Sequence, residues 1–120
     1  MALHDQLPIY KVAYDLLGLI TQARRDMPRD VKQDFGKALS KECVQIVVLI
    51  FRANVARDKA AHLLELVERV EVVNLLIRLS RDLRFVSTKQ YAAAVALTAS
   101  IGKQATAWRK SSFATHAPAA

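Results

Sequence analysis

The chain has 120 residues, of which 52% are hydrophobic and 7% aromatic, with only three glycines and three prolines. This Ala-, Leu- and Val-rich composition is typical of one helical domain and argues against a β-sandwich, a disulfide scaffold or a long disordered chain. Eighteen Lys and Arg against eleven Asp and Glu leave a net charge of +7, and the single cysteine excludes an internal disulfide and every multi-cysteine metal site.

Apolar residues recur at helical spacing in segments that prolines and polar residues separate, which predicts a series of helices. The first helix begins at Pro8 and runs to about Met27. Pro28 stands in the first turn of the second helix, where a proline is tolerated. This second helix runs to about Ala53, and Asn54 ends it.

Two further helices follow in the same way. Asp58 can cap the third helix, which is predicted to run to about Arg84. Ser87 and Gln90 have the spacing of a capping box, which predicts the start of a fourth helix. This fourth helix continues to about Lys110.

Residues 1–110 therefore predict a single domain. Residues 111–120 are small and polar and contain Pro118, so they are expected to form a disordered tail. Long helices joined by loops of about two to five residues force antiparallel neighbours. The predicted fold is all-α, an antiparallel up-down-up-down four-helix bundle.

The N-terminus has no apolar core of the kind that a signal peptide needs. The longest strongly apolar run, residues 43–51, is far shorter than the about 20 residues that a bilayer requires. The sequence thus predicts a soluble, cytoplasmic protein without a membrane partner. Cys43, which lies in this run, is interpreted as a small buried hydrophobic residue.

Two segments carry more apolar surface than a small bundle can bury, because they leave no wide polar face at about 100° per residue. Their apolar residues are Val44, Ile46, Val47, Val48, Leu49, Ile50 and Phe51 in the second helix and Val67, Val70, Val72, Val73, Leu75, Leu76, Ile77 and Leu79 in the third. We expect these helices to form a subunit interface in a homo-oligomer. The alternative is a monomer with scattered exposed Val and Leu side chains.

The positive charge is concentrated in short clusters. Arg78, Arg81 and Arg84 recur at every third position near the end of the third helix. Acidic residues in the first half of this helix and basic ones at its end compensate the helix dipole, which explains the order of the signs. Compensation of the helix dipole does not explain why these three arginines form a stripe of like charges that repel one another. Further basic clusters consist of Lys37 and Lys41 in the second helix and of Arg24, Arg25 and Arg29 at the first corner.

Arginine is well suited to bidentate phosphate contacts, and repetition of a basic patch in an oligomer multiplies its charge. Binding of a polyanion with release of counterions is therefore the functional interpretation. It is expected to be largely independent of nucleic-acid sequence, because no helix-turn-helix, zinc finger or aromatic-rich sheet is evident. The alternative is a solvated basic surface that only confers solubility.

Motifs of catalysis are missing from the sequence. It contains no phosphate-binding loop, dinucleotide-binding fingerprint, nucleophile elbow or zinc-protease motif. The three histidines lie far apart, and Cys43 has no histidine near it in the sequence. We therefore expect no catalytic residues, no metal, no cofactor and no enzymatic activity.

Several stretches together carry a family resemblance, and they are Leu7 to Lys11 with Tyr14 to Leu17, Met27 to Arg29, Leu79 to Arg84 with Ser87 to Tyr91, and Ile101 to Gln104 with Trp108. Over about residues 7–110 the chain resembles a bacterial four-helix-bundle family. This family includes the accessory variability determinant of diversity-generating retroelements and the proteins encoded in intervening sequences of large-subunit rRNA genes.

The resemblance implies a four-helix bundle that assembles into a ring, a pentameric barrel. For the retroelement members it implies a basic surface that binds RNA or DNA, and a reverse transcriptase as protein partner. That complex makes mutagenic cDNA from a template-repeat RNA, and the accessory protein is not the polymerase. The alternative is a self-assembling structural or interaction protein of the rRNA-intervening-sequence type, without a specific nucleic-acid role.

Carried over by motif, Arg78, Arg81 and Arg84 lie in the basic segment of the family at the end of the third helix, and Lys89 lies in the turn that follows. Asp82 lies between these basic residues. It is expected to organise the turn by pairing with Lys89 or Arg84.

Overall fold

The computed structural model describes residues 3–116, without the side chains of His4 and residues 113–116. After one 3-10 turn, four long helices follow, numbered here α1 to α4. The bounds are Pro8–Arg25 for α1, Ala60–Asp82 for α3 and Thr88–His116 for α4. The remaining helix, α2, consists of three segments in direct succession, which are Arg29–Val31, Lys32–Gly36 and Lys37–Val55. No strand occurs in residues 3–116, so the predicted all-α fold of four helices is confirmed.

The helices form a bundle in which each packs against its neighbours in the chain and α4 closes against α1. Because the loops are short, neighbouring helices are antiparallel. The α1–α2 and α3–α4 corners therefore lie at one end of the bundle, which measures 56 × 23 × 21 Å, and the α2–α3 corner lies at the other end. None of the helices within residues 3–116 combines the length and the hydropathy of a membrane-spanning segment.

The core is built from one face of each helix. The fully buried side chains include large aliphatic residues from all four helices, among them Leu16, Leu39, Ile46, Leu66, Val73 and Ile101. Burying such a side chain contributes about 1.5–3 kcal/mol of hydrophobic free energy, so the aliphatic core drives the association of the helices.

The start of α4 confirms the predicted capping box. The backbone N–H of Ser87 donates to Gln90 Oε1 at 2.9 Å, and the backbone N–H of Gln90 donates to Ser87 Oγ at 3.0 Å. Two backbone donors that would otherwise lack partners are thus satisfied, which fixes the point where the chain turns into α4.

The α2–α3 corner is held by a lysine as well as by the predicted acid. The backbone N–H of Ala60 donates to Asp58 Oδ1 at 3.1 Å, at the start of α3. Lys59 Nζ donates to the carbonyl oxygens of Ala53, Asn54 and Ala56 at 2.8, 3.1 and 2.9 Å. A cation at the C-terminus of a helix offsets its dipole and satisfies carbonyl groups that have no partner within the helix.

We expect Lys59→Met to lower the free energy of unfolding by about 1–3 kcal/mol, because three charge-assisted hydrogen bonds are lost while the apolar stem remains. Urea titrations at one fixed protein concentration measure the change. Lys103→Met, at an exposed position of α4, is the matched control and is expected to change it by no more than about 0.5 kcal/mol. Equal effects of the two substitutions would contradict the capping role.

The last helix continues beyond its predicted end. Residues 111–116 are helical, although the sequence predicts a disordered tail from residue 111 onwards. No glycine or proline lies between Gly102 and Pro118, so nothing in this stretch breaks the helix. The rest of the predicted tail, residues 117–120, lies outside the described residues.

Candidate nucleic-acid interface

Two clusters of basic residues that lie far apart in the sequence meet at one end of the bundle. The α1–α2 and α3–α4 corners touch through Phe35 and Phe85, whose ring centroids lie 5.7 Å apart in an edge-to-face arrangement. Residues 21–37 and 78–91 together carry nine basic and four acidic side chains, a net +5 of the +7 of the chain. We call this surface the basic end, and its cations are Arg24, Arg25, Arg29, Lys32, Lys37, Arg78, Arg81, Arg84 and Lys89.

At the α1–α2 corner, Arg24 has a structural role. Its Nε donates to the carbonyl oxygen of Lys32 at 3.0 Å, and its side chain is half-buried. A Cβ atom on Gly36 would lie only 2.8 Å from Arg24 Cγ, so glycine makes room for the arginine. Arg25 and Arg29 are exposed beside it. Arg24 thus fixes the corner that presents these two cations to solvent.

The π-helical turn Lys32–Gly36 was not predicted from the sequence. A π-helical turn adds a residue to one turn of the helix and shifts the following side chains around its axis. It lies where Gly36 receives Arg24. The available signal is a glycine within a helical pattern, because a residue without a Cβ atom permits close approach of a neighbouring side chain.

At the α3–α4 corner, Arg81 is held by two partners. Its guanidinium carbon lies 4.4 Å from the centroid of the Tyr91 ring, a cation–π arrangement. Its Nε and Nη2 donate to Asp82 Oδ1 at 3.1 and 3.0 Å. The prediction that Asp82 pairs with Lys89 or Arg84 is therefore wrong, because the aspartate is bound by the arginine that precedes it.

Arg84 lies outside α3, which ends at Asp82, so it does not continue the helical stripe of Arg78 and Arg81 that the sequence predicted. Its φ of 61° places it in the left-handed region. Its backbone N–H donates to the carbonyl oxygen of Arg81, and that of Phe85 donates to Ser80, which together form a Schellman motif. The chain thus turns out of the helix at a position that favours glycine.

We expect Arg84→Gly to raise the free energy of unfolding by about 1 kcal/mol, because glycine adopts the left-handed conformation without the steric cost of a Cβ atom. Thermal and urea denaturation test this. Arg84→Ala removes the guanidinium but keeps the Cβ atom, so it is expected to bring no such gain. A destabilised Arg84→Gly variant would show that contacts of the arginine outweigh the backbone strain.

The remaining predicted contact residues are distributed unevenly. Arg78 and Lys89 are exposed at the basic end, and no described carboxylate lies within 4 Å of their charged nitrogens. Lys37 and Lys41 are both exposed on α2. Lys41 lies about 18 Å further along the helix axis than Arg29, at about 1.5 Å per residue, so it stands apart from the basic end.

A second surface feature is an apolar stripe on the outer faces of α2 and α3. Among the described residues, ten large hydrophobic side chains are exposed, and eight of them belong to α2, α3 or the turn that ends α3. These eight, which define the apolar stripe, are Val44, Phe51, Val55, Leu64, Val72, Leu75, Leu79 and Leu83. The bundle therefore does leave apolar residues of both helices uncovered, as the sequence indicated.

Reactive groups are sparse in the described part of the chain. Within it, no group of three or more His, Cys, Asp or Glu side chains is arranged to hold a metal ion. Burial raises the pKa of the Cys43 thiol from 9.0 to about 12, and the Glu42 carboxylate adds to the increase. This cysteine therefore stays protonated at neutral pH and has the properties of a core residue.

The fold and the charge of the basic end define this protein as a small four-helix bundle with an electropositive surface at one end. The family model described as bAvd-like matches residues 7–112, and the chain belongs to this family. The resemblance noted from the sequence is thereby confirmed. The bAvd-like family is not a known family of enzymes. A search of the curated proteins gives no match.

Proposed function

We propose that this protein is a nucleic-acid-binding accessory protein of a diversity-generating retroelement. In this role it associates with the reverse transcriptase and with template RNA or cDNA during mutagenic retrohoming. Membership of the bAvd-like family supports the retroelement role. The observation that carries nucleic-acid binding is the convergence of the two basic corners, which concentrates a net +5 at one end of the bundle.

The chemistry of binding follows from the side chains at the basic end. Arginine guanidinium groups make bidentate hydrogen bonds to phosphate oxygens, and each contact releases counterions from the nucleic acid. Arg25, Arg29, Arg78, Arg84 and Lys89 have no described carboxylate within 4 Å of their charged nitrogens. They can therefore meet phosphates without first breaking an ion pair.

The strained backbone at Arg84 gives independent support. A glycine would fit this position at lower cost, yet the chain has an arginine there. Residues held in rarely populated backbone conformations are often functional. A contact between the Arg84 guanidinium group and a phosphate of the nucleic acid would account for an arginine at this position.

We further propose that the protein assembles into a homopentameric barrel through the apolar stripe. Cyclic symmetry places the same residue of every copy at one height along the symmetry axis. The basic ends of five copies would thus form one ring of positive charge. Multiple copies would also strengthen the binding of a long polyanion, because several contacts form within one complex.

Titration of the protein with RNA at increasing salt concentration tests the proposed binding. The logarithm of the binding constant is expected to fall linearly with the logarithm of salt concentration, by about 0.7 for each phosphate neutralised on a single strand. A flat response between low and moderate salt would rule out the phosphate-contact mechanism. A neighbouring reverse-transcriptase gene with paired template and variable repeats would support the retroelement role.

The alternative function is that of a self-assembling structural protein of the rRNA-intervening-sequence type. The apolar stripe favours it, because an exposed apolar surface can bind further copies of the chain whether or not the protein binds nucleic acid. This alternative predicts an assembled protein whose affinity for RNA is no higher than that of any basic protein of similar charge. The same salt titration, carried out beside a basic protein of similar size and charge, therefore separates the two functions.

A further inference from the structure

A polar cleft of about 220 Å³ opens between α3 and α4 beside the basic end. From α3 it is lined by Glu71, Asn74 and Arg78, and from α4 by Tyr91, Val95 and Thr98, among others. Such a volume lies below the about 300–1,000 Å³ of pockets for drug-sized ligands. The cleft therefore suits one small group that has both polar and apolar surface.

The polar floor of the cleft is held in a fixed arrangement. The buried Thr98 hydroxyl donates to Asn74 Oδ1 at 2.6 Å, and the carbonyl oxygen of Val95 lies 3.1 Å from the same hydroxyl oxygen. This hydrogen bond occupies the oxygen of the Asn74 amide. The NH2 group of Asn74 is thus the part that can donate to a molecule in the cleft.

The cleft combines donors and an acceptor on the same side of α3. Glu71 is exposed and has no cation within 4 Å among the described residues, so its carboxylate is available as an acceptor. Arg78 and Asn74 supply donors. The Glu71 carboxylate repels phosphate, which favours a neutral group in the cleft and leaves the phosphates to the basic end.

We propose that this cleft receives one unpaired guanine base of the bound strand, an inference that rests on the proposed function. Guanine presents two neighbouring donors, N1–H and N2–H, which match the two oxygens of Glu71. It also presents two neighbouring acceptors, O6 and N7, which match the donors of Arg78 and Asn74. Proteins read unpaired bases by such edge contacts together with stacking on aromatic side chains, and Tyr91 supplies the aromatic surface.

The position of Tyr91 connects the cleft with the basic end. Its ring lines the cleft and also lies beneath the guanidinium group of Arg81, at 4.4 Å from the ring centroid. A nucleotide whose base enters the cleft would therefore have its flanking phosphates near Arg81 and the neighbouring cations. Base recognition and phosphate contacts are thus arranged within the reach of one strand.

Fluorescence anisotropy with three labelled heptaribonucleotides tests this assignment. One is all uridine, and the other two carry a single guanosine or a single adenosine at the central position. The wild-type protein is expected to bind the guanosine oligomer about 10-fold more tightly than the other two, because a bidentate contact to a base edge provides discrimination of about this size. Glu71→Gln is expected to bring the three affinities to within about 2-fold of one another.

Glu68→Gln is the matched control, because it removes the same charge from an exposed position of α3 that does not line the cleft. It is expected to keep the guanosine preference. Equal affinities of the wild-type protein for all three oligomers would overturn the guanine site and leave the proposed function intact. A preference that Glu71→Gln retains would also overturn it. Loss of binding to every oligomer in the wild type would remove the proposed function and the guanine site together.

Discussion

Replacement of Arg78, Arg81 and Arg84 by glutamate is expected to abolish most of the RNA affinity of this protein. For oligouridine, which has no guanine to engage Arg78, each phosphate contact at about 0.1 M salt contributes roughly a factor of five, so loss of three contacts lowers the affinity about 100-fold. The slope of the logarithm of the binding constant against that of salt concentration is expected to become less steep by about 2. Filter binding at four or more salt concentrations measures both quantities.

The matched control reverses three cations in the second half of α4, away from the basic end. Lys103, Arg109 and Lys110 are exposed, and their replacement by glutamate changes the net charge by the same amount. We expect this control to weaken binding much less, because screening limits the influence of charges more than about 10 Å away. Equal losses in both triple variants would show that net charge, and not the basic end, determines binding.

Folding of the charge-reversed protein needs a separate check, since Arg81→Glu places a second carboxylate beside Asp82 and removes the contact with Tyr91. A variant that combines Arg78→Gln, Arg81→Gln and Arg84→Gln avoids the added repulsion. It is also expected to bind RNA more weakly than the wild-type protein. Circular dichroism and the mass in solution establish that the fold and the assembly are retained. If RNA binding survives in a folded, assembled variant, other residues form the interface.

The helices could be predicted from the sequence because their signals are local. Apolar spacing, Pro8 and Pro28 mark α1 and α2, and the Ser87–Gln90 capping box sets the start of α4 through bonds within four residues. The end of α3 was less well predicted, because arginine at position 84 gives no sign of a left-handed conformation that glycine usually adopts.

The candidate interface was predicted only in part. The sequence identified both basic corners, but the meeting of the two corners depends on the tertiary contact of Phe35 with Phe85. Charge spacing alone could not show that Arg24 binds a backbone carbonyl of the next helix. Likewise, it could not show that Asp82 pairs with Arg81, since several cations lie within reach of that aspartate in the sequence. Which cations remain available to a ligand is thus a property of the folded chain.

Removal of apolar side chains from the outer face of α3 is expected to dissociate the assembly. Leu75 is 65% exposed and Leu79 is 41% exposed in the single chain, so their replacement leaves the core of the bundle intact. We expect the wild-type protein to have a mass several times the 13.4 kDa of one chain. Leu75→Gln with Leu79→Gln is expected to shift the mass to that of one chain. Light scattering coupled to size exclusion at micromolar concentration measures it.

Tyr14→Gln is the matched control for this experiment, because Tyr14 is 60% exposed on α1 and lies outside the apolar stripe. It is expected to leave the assembly unchanged. Glutamine adds no charge, so any loss of RNA affinity in the double variant reflects loss of the assembly and not altered electrostatics. A wild-type mass of one chain, or dissociation by Tyr14→Gln alone, would contradict assembly through α2 and α3. In that case each basic end would have to bind RNA as a single patch, without the added contacts that repeated copies provide.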